Sequence, residues 1–254
     1  MNPARRPLVA GNWKMFKGGR EGVELAEACV AFARQLPGVD VVVAPPFTAL
    51  AAVADALDGS PVALAAQNIH TKPQGAFTGE ISGPMLDECG CAWVIVGHSE
   101  RREQFGESSA LVAEKAAAAL AHDLLPIVCV GESLAQREGG ETLRVVKQQV
   151  DAFLDVIAQT PKAVAIAYEP VWAIGTGKTA GPAEAEEVHA AIRSWLEKKD
   201  AELAGRTRLL YGGSVKPDNA AALAACPNVD GFLVGGASLD AGSFGAIARS
   251  ARAK

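Results

Sequence analysis

Short apolar runs recur eight times along this chain, and segments with helical spacing separate them. The runs cover residues 8–10, 39–44, 62–66, 92–96, 125–130, 163–168, 207–211 and 231–234. The alanine-rich segments between them include residues 22–36, 110–121, 141–158, 182–203 and 218–225. Such alternation of strand and helix predicts an α/β protein with a parallel sheet and with helices outside it.

The number of these units selects one architecture. A closed (β/α)8 barrel takes about 250 residues, and this chain has 254. An open doubly wound sheet is the alternative, but no Gly-x-Gly-x-x-Gly turn follows the first run. No change of composition marks a linker, so we expect residues 1–254 to form a single domain.

Charge and hydropathy exclude several classes of partner. The net charge is −5 and no block of Lys or Arg occurs, which argues against a nucleic-acid or membrane-surface partner. The apolar stretch near the N-terminus is too short for a signal peptide, and no segment reaches the roughly 20 apolar residues that span a bilayer. We therefore expect a cytoplasmic protein.

The cysteines indicate neither a disulfide framework nor a metal site. They are odd in number and scattered through apolar surroundings, which is typical of reduced packing residues. Cys89 and Cys91 have no second Cys/His pair at ligand spacing, so no metal and no cofactor is predicted.

Polar residues and glycines follow several of the predicted strands. In a barrel they would meet on the face where the strand-to-helix loops emerge. Asn12 and Lys14 follow the first run, His98 and Glu100 the fourth, and Glu169 the sixth; Gly212, Gly213 and Ser214 follow the seventh, and Gly235 and Gly236 the eighth.

The segment around Glu169 combines a carboxylate with a flexible, amide-rich loop. Glu169 ends an apolar run, so its charge lies at the rim of a core. Pro170 stiffens the chain after it, while Gly175 and Gly177 give backbone that can bend and donate to an anion. This pattern predicts a partly desolvated base beneath a hinged, anion-binding lid.

These residues belong to a set of motifs that resembles the triosephosphate isomerase family. The motifs are AGNWKM at residues 10–15, AQN at 66–68, GAFTGEIS at 75–82, GHSERR at 97–102, AYEPVWAIGTGKTA at 167–180, YGGSV at 211–215 and LVGGASL at 233–239. They occur in the family's order and span nearly the whole chain. The resemblance implies a TIM barrel and an intramolecular oxidoreductase of glycolysis and gluconeogenesis that uses no metal or cofactor. Its reaction interconverts dihydroxyacetone phosphate and D-glyceraldehyde 3-phosphate through an enediol(ate).

The resemblance also implies a role for each candidate site residue. Glu169 would be the base, and His98 a neutral electrophile whose cationic form is disfavoured at a helix N-terminus. Lys14 would stabilise charge on the substrate, Asn12 would help to hold it, and Glu100 would pair with Lys14 or assist proton transfer. Glu100 could instead form a surface salt bridge with a neighbouring arginine, and Lys14 could lie over Trp13.

Backbone amides are the predicted phosphate ligands, because no arginine cluster is available. The candidates are Gly175 in the lid, Ser214 after the seventh strand, and Gly235 and Gly236 after the eighth. Two alternatives to the isomerase remain: a barrel aldolase that uses Lys14 as a Schiff-base amine, and a catalytically silent barrel that serves as a scaffold.

The loop after the third strand indicates a partner. Gly75, Ala76, Phe77 and Thr78 form a partly apolar excursion that a monomer would expose to water. By the resemblance, this loop packs into a second subunit near Asn12 and Lys14, so we expect a homodimer.

Overall fold

The chain forms a closed barrel of parallel strands, which confirms the predicted fold. The computed structural model describes residues 5–173 and 180–251. Within them, each strand pairs in parallel with the next, and β1 pairs with β8 to close the barrel. The strands are β1 Leu8–Asn12, β2 Asp40–Ala44, β3 Val62–Ala66, β4 Trp93–Val96, β5 Leu125–Val130, β6 Ala165–Tyr168, β7 Arg208–Tyr211 and β8 Gly231–Val234.

Helices follow the strands and cover the outside of the barrel. They are α1 Arg20–Ala33, α2 Leu50–Leu57, α3 Gly83–Glu88, α4 Ser99–Phe105, α5 Ser109–Ala121, α6 Leu134–Glu138, α7 Thr142–Ala158, α8 Pro182–Lys199, α9 Ala201–Arg206, α10 Ala220–Ala224 and α11 Ala241–Ala251. Short 3₁₀ turns occur at Phe47–Ala49, Val171–Ala173 and Gly236–Leu239. Within residues 5–173 and 180–251, no helix is long and apolar enough to cross a membrane.

Alternation along the strands gives the barrel two apolar layers. In β1, Leu8 and Ala10 belong to the inner apolar cluster, which also contains Ile95 and Leu210, whereas Val9 belongs to the outer cluster that the helices cover. All these residues are buried, so both faces of each strand are covered. The packed interior leaves the strand ends as the place where a site can form.

Several predicted boundaries differ from the structure by a few residues, and two of the differences have a clear local cause. The first strand extends through Asn12, because its backbone continues the ladder to Ala44 of β2. The single helix predicted for residues 182–203 is interrupted at Asp200, whose backbone is extended. The Asp200 carboxylate accepts from Leu203 N at 2.8 Å and caps a new helix there, a local effect that helical spacing does not reveal.

Candidate active site

A cavity of about 320 Å³ opens at the carboxyl ends of the strands. It lies where the barrel fold leads us to expect a site. The lining comes from the ends of β1, β4, β6, β7 and β8, and consists of Asn12, Lys14, His98, Glu169, Gly212, Gly213, Ser214, Val215, Lys216, Leu233, Gly235, Gly236 and Ala237. Nearly all of the residues predicted from the strand ends are therefore together in one cavity.

Glu169 is buried in the wall of this cavity directly after β6. Its Oε2 accepts from Ser99 N at 2.9 Å, and its Oε1 lies 3.0 Å from His98 Nε2. Gly212 leaves room for it, because a Cβ at that position would come within 2.9 Å of Glu169 Cγ. The side chain is 2% exposed, which makes the carboxylate the desolvated group that the sequence predicted.

His98 caps the N-terminus of α4 with its ring. Nδ1 accepts from Glu100 N at 3.2 Å, so Nδ1 carries no proton, and Nε2 donates to Glu169. The geometry therefore fixes the neutral Nε2–H tautomer. Gly97, with φ of 69°, reverses the chain between β4 and α4 and so directs His98 into the cavity.

The pKa values of Glu169 and His98 shift in opposite directions. Burial raises the pKa of Glu169, but the adjacent His98 and the Ser99 N–H lower it by more, so it lies below the usual value. Burial lowers the pKa of His98, but the Glu169 carboxylate raises it by more, so it lies above the usual value. The argument from the sequence considered only the helix N-terminus, which disfavours the cationic form of His98. In the structure the Glu169 carboxylate opposes that effect, while the Glu100 N–H at Nδ1 still favours the neutral ring.

Lys14 approaches the cavity from the turn after β1. Its backbone is left-handed, with φ of 51°, and its N–H donates to Asn12 Oδ1 at 3.0 Å. Gln67 Nε2 bonds the carbonyls of both Lys14 and Ala44 at 2.8 Å, which ties this turn to the end of β2. The Lys14 Nζ forms an ion pair with Glu100 Oε1 at 2.5 Å. Of the arrangements considered from the sequence, the structure contains the Lys14–Glu100 pair.

The loops after β7 and β8 form another part of the cavity wall. The 3₁₀ turn Gly236–Leu239 begins there, and the first N–H groups of such a turn have no partner within it. A Cβ at Gly235 would lie 3.4 Å from Lys14 Cε, which is van der Waals distance, so the loop after β8 passes close to the lysine side chain. Asn219 Nδ2 donates to Ser214 O at 3.0 Å and holds the β7 loop in place. This arrangement can bind an anion through amides.

Three supporting residues were missed in the sequence, and the glycines of the predicted lid lie outside the described ranges. Ser99 supplies a backbone donor to Glu169, Gln67 supports Lys14, and Lys216 brings a cation to the cavity wall. Gln67 and Ser99 both occur inside the motifs AQN and GHSERR, which were the available signal. Gly175 and Gly177 lie outside the described residues, so the predicted lid stays a prediction.

Comparisons with known proteins agree with this geometry. The family described as Triosephosphate isomerase matches residues 7–251. The chain is 55% identical to the triosephosphate isomerase of Chloroflexus aurantiacus, over 94% of this chain and 97% of that one. It is 54% identical to that of Moorella thermoacetica, over 96% and 98% of the two chains. For the enzyme of Rhodopirellula baltica the identity is 50%, over 98% of each chain. The chain belongs to the triosephosphate isomerase family.

Proposed function

We propose that this protein interconverts dihydroxyacetone phosphate and D-glyceraldehyde 3-phosphate by proton transfer through an enediol(ate). The observation that carries the proposal is the contact between the Glu169 carboxylate and the His98 ring on the wall of a cavity that Lys14 also enters. Moving a proton between adjacent carbons requires one base, a donor to the carbonyl oxygen and a grip on the phosphate. Each has a candidate in this cavity.

Glu169 is the base in this proposal. It removes a proton from the hydroxyl-bearing carbon beside the carbonyl and returns it to the former carbonyl carbon. A hydroxyl proton moves from one substrate oxygen to the other in the same interconversion, so that no net charge is transferred to the protein. To reach the substrate, the carboxylate gives up its bonds to Ser99 N and His98 Nε2. It then loses the partners that lower its pKa while staying desolvated, which makes it a stronger base.

His98 and Lys14 stabilise the oxyanion that forms. Once Glu169 leaves, the Nε2–H of His98 is free to donate to a substrate oxygen, and the carboxylate that raised the pKa of His98 is further away. The Glu100 N–H bond to Nδ1 remains and keeps the ring neutral. Lys14 adds a positive charge beside the same substrate oxygens. Asn12 helps to hold the substrate and accepts from the Lys14 backbone N–H, and Glu100 forms the ion pair with the Lys14 ammonium.

The phosphate group binds at the β7 and β8 loops. The amides near Ser214, Gly235 and Gly236 are the candidate ligands, as in other barrels that bind phosphate at these two loops. Lys216 brings a further positive charge to the same wall. A backbone site is consistent with a protein whose net charge is negative, because the anion is held by local groups.

A homodimer through Gly75, Ala76, Phe77 and Thr78 is part of the proposal. All four residues are exposed, and the Phe77 ring packs on His70, with ring centroids 4.2 Å apart. Met15 is 92% exposed beside Lys14, and Phe105 is 67% exposed at the end of α4. Apolar side chains so close to the site favour a second copy of the chain as the partner. We also propose a single domain over residues 1–254, a cytoplasmic location and a place in glycolysis and gluconeogenesis.

The aldolase alternative finds no support in the geometry. A Schiff base requires an amine that is available to attack a carbonyl, whereas Lys14 Nζ forms an ion pair with Glu100 Oε1. A silent scaffold would not require the Glu169 and His98 side chains to be oriented toward one another.

A coupled assay of purified protein tests the proposed function. With glyceraldehyde 3-phosphate as substrate, wild type should form dihydroxyacetone phosphate, and Glu169→Gln should lose on the order of 10²- to 10⁴-fold in kcat. Glutamine keeps the size of the side chain but cannot accept a proton. Wild type that is no more active than Glu169→Gln would contradict the proposal, and covalent trapping at Lys14 by borohydride with substrate would support the aldolase.

A further inference from the structure

We propose that Arg102 is a positioning residue for the isomerase reaction. Its guanidinium joins the ends of β4 and β5 and so fixes the turn that carries His98 and Ser99. Arg102 lies in α4 and is only half-buried, but its head group reaches back beneath the helix. The inference rests on the proposed function, because it concerns the same site.

The guanidinium contacts three different elements. Nε donates to Gly97 O at 2.9 Å, at the residue that precedes His98. Nη2 donates to Cys129 O at 3.1 Å in β5, and Nη1 donates to Ser109 Oγ at 3.2 Å at the start of α5. The planar fork of an arginine can satisfy three acceptors in fixed directions, which a lysine ammonium on a flexible stem cannot reproduce.

The turn at Gly97 requires such support. Its φ of 69° reverses the chain, and α4 is only seven residues long, so the helix has little stability of its own. The close fit is visible at Gly97, where a Cβ would lie 2.7 Å from both Val112 methyl carbons and 3.1 Å from Arg102 Nη2. Arg102 therefore sets where α4 begins.

The start of α4 determines how His98 meets Glu169. Ser99 N bonds one oxygen of the carboxylate at 2.9 Å and His98 Nε2 lies 3.0 Å from the other. The acceptor Cys129 pairs in register with Ala167, two residues before Glu169. Arg102 thus holds the histidine turn directly to the strand beside the one that carries the base. A displacement of about 1 Å between such groups can cost on the order of 10²-fold in rate.

The variant Arg102→Lys tests this inference, because it keeps the charge and removes the fork. We expect kcat to fall by about 10- to 100-fold with little change in KM, since the phosphate end is formed by other loops. Arg193→Lys is the matched control. Arg193 also donates to two backbone carbonyls, of Ala204 at 2.6 Å and of Thr207 at 2.7 Å, but it lies at the opposite end of the barrel. That control should lose thermal stability and keep its kcat per folded molecule.

A second readout does not depend on activity. The His98 Nε2–H that donates to Glu169 should give a downfield proton signal by NMR in wild type and in Arg193→Lys, and the signal should weaken or vanish in Arg102→Lys. If Arg102→Lys does not fold, Ser109→Ala removes only the Nη1 acceptor and should lower kcat by about two- to fivefold.

The outcomes separate this inference from the proposed function. An inactive wild type would contradict the proposed function, and the NMR signal would still test the role of Arg102. An active wild type with unchanged kcat in Arg102→Lys, or a loss that only follows the folded fraction as in Arg193→Lys, would overturn the inference. In the Ser109→Ala variant, an unchanged kcat would do the same.

Discussion

At the scale of single residues, the surroundings of Glu169 act on its pKa in two opposite directions. The carboxylate is buried, which favours its protonated form, and it is bonded to a ring and to an amide, which favour its ionised form. In the proposed mechanism, the same carboxylate oxygens take the substrate proton. The proposal therefore implies that Glu169 is ionised in the resting geometry and becomes more basic when it leaves these two partners.

The length of the Glu169 side chain should matter as much as its charge. Glu169→Asp withdraws the carboxylate by one methylene, about 1.5 Å. We expect kcat to fall on the order of 10²-fold, with a smaller effect on KM, because the phosphate contacts are unchanged. Glu197→Asp on the exposed face of α8 is the matched control and should behave as wild type. Equal kcat for Glu169→Asp and wild type would show that this carboxylate is not the base.

The lowered pKa of Glu169 predicts how the stability of the protein depends on pH. Because its folded pKa is lowered, the group contributes stability above its unfolded pKa, and this contribution is lost as the pH falls through the folded pKa. In His98→Asn the largest opposing partner is gone and burial remains, so the pKa of Glu169 should rise. Carbon-13 NMR of the Glu169 carboxyl, titrated in the free protein, measures this directly. A pKa that stays the same or falls in His98→Asn would contradict our account of the pair.

At the scale of elements, the site depends on cross-links between neighbouring loops. Gln67 follows β3 and bonds to carbonyls after β1 and at the end of β2, which holds Lys14 in its left-handed conformation. Arg102 has the corresponding role between β4 and β5. The strands bring the loops to one face, and these side chains then fix them against one another.

Removal of the Gln67 side-chain hydrogen bonds should lower activity, because these bonds hold the turn that carries Lys14. In Gln67→Leu two hydrogen bonds are lost, and we expect kcat/KM to fall on the order of tenfold because the Lys14 ammonium is less well placed. Gln35→Leu, whose amide bonds only Ala31 O on the surface of α1, is the control. Steady-state kinetics of both variants provide the measurement. If Gln67→Leu and Gln35→Leu are equally active, Gln67 has no role in placing Lys14.

The sequence predicted the elements and the site members better than their contacts. Apolar runs locate strands because a barrel strand is buried on both faces, and resemblance then assigned Glu169, His98 and Lys14. The direction of the His98 pKa shift could not be predicted in the same way, because it depends on the distance of one ring from one carboxylate. The break at Asp200 escaped prediction for a similar reason, since a side-chain cap acts locally and leaves helical spacing intact.

At the scale of the whole molecule, several large apolar side chains are exposed to solvent. Met15, Phe16 and Phe105 are all more than half exposed, and Phe77 lies on the loop after β3. Met15 and Phe16 directly follow Lys14 in the loop after β1, and Phe105 ends α4. A second copy of the chain that covers them would also immobilise the turn after β1, so assembly and catalysis should be coupled.

The variant Thr78→Arg tests whether catalysis depends on assembly. If Thr78 enters a buried contact with the partner, an unpaired charge there costs several kcal/mol, so the variant should be monomeric. Because the Lys14 turn then loses its cover, kcat should fall together with the sedimentation coefficient. Ala221→Arg, exposed on α10 far from this loop, introduces the same side chain and should stay dimeric and active. Sedimentation velocity and kcat, measured on the same samples, distinguish the outcomes. A fully active Thr78→Arg monomer would show that assembly does not support catalysis. An unchanged dimer would show that the contact between the two copies lies elsewhere.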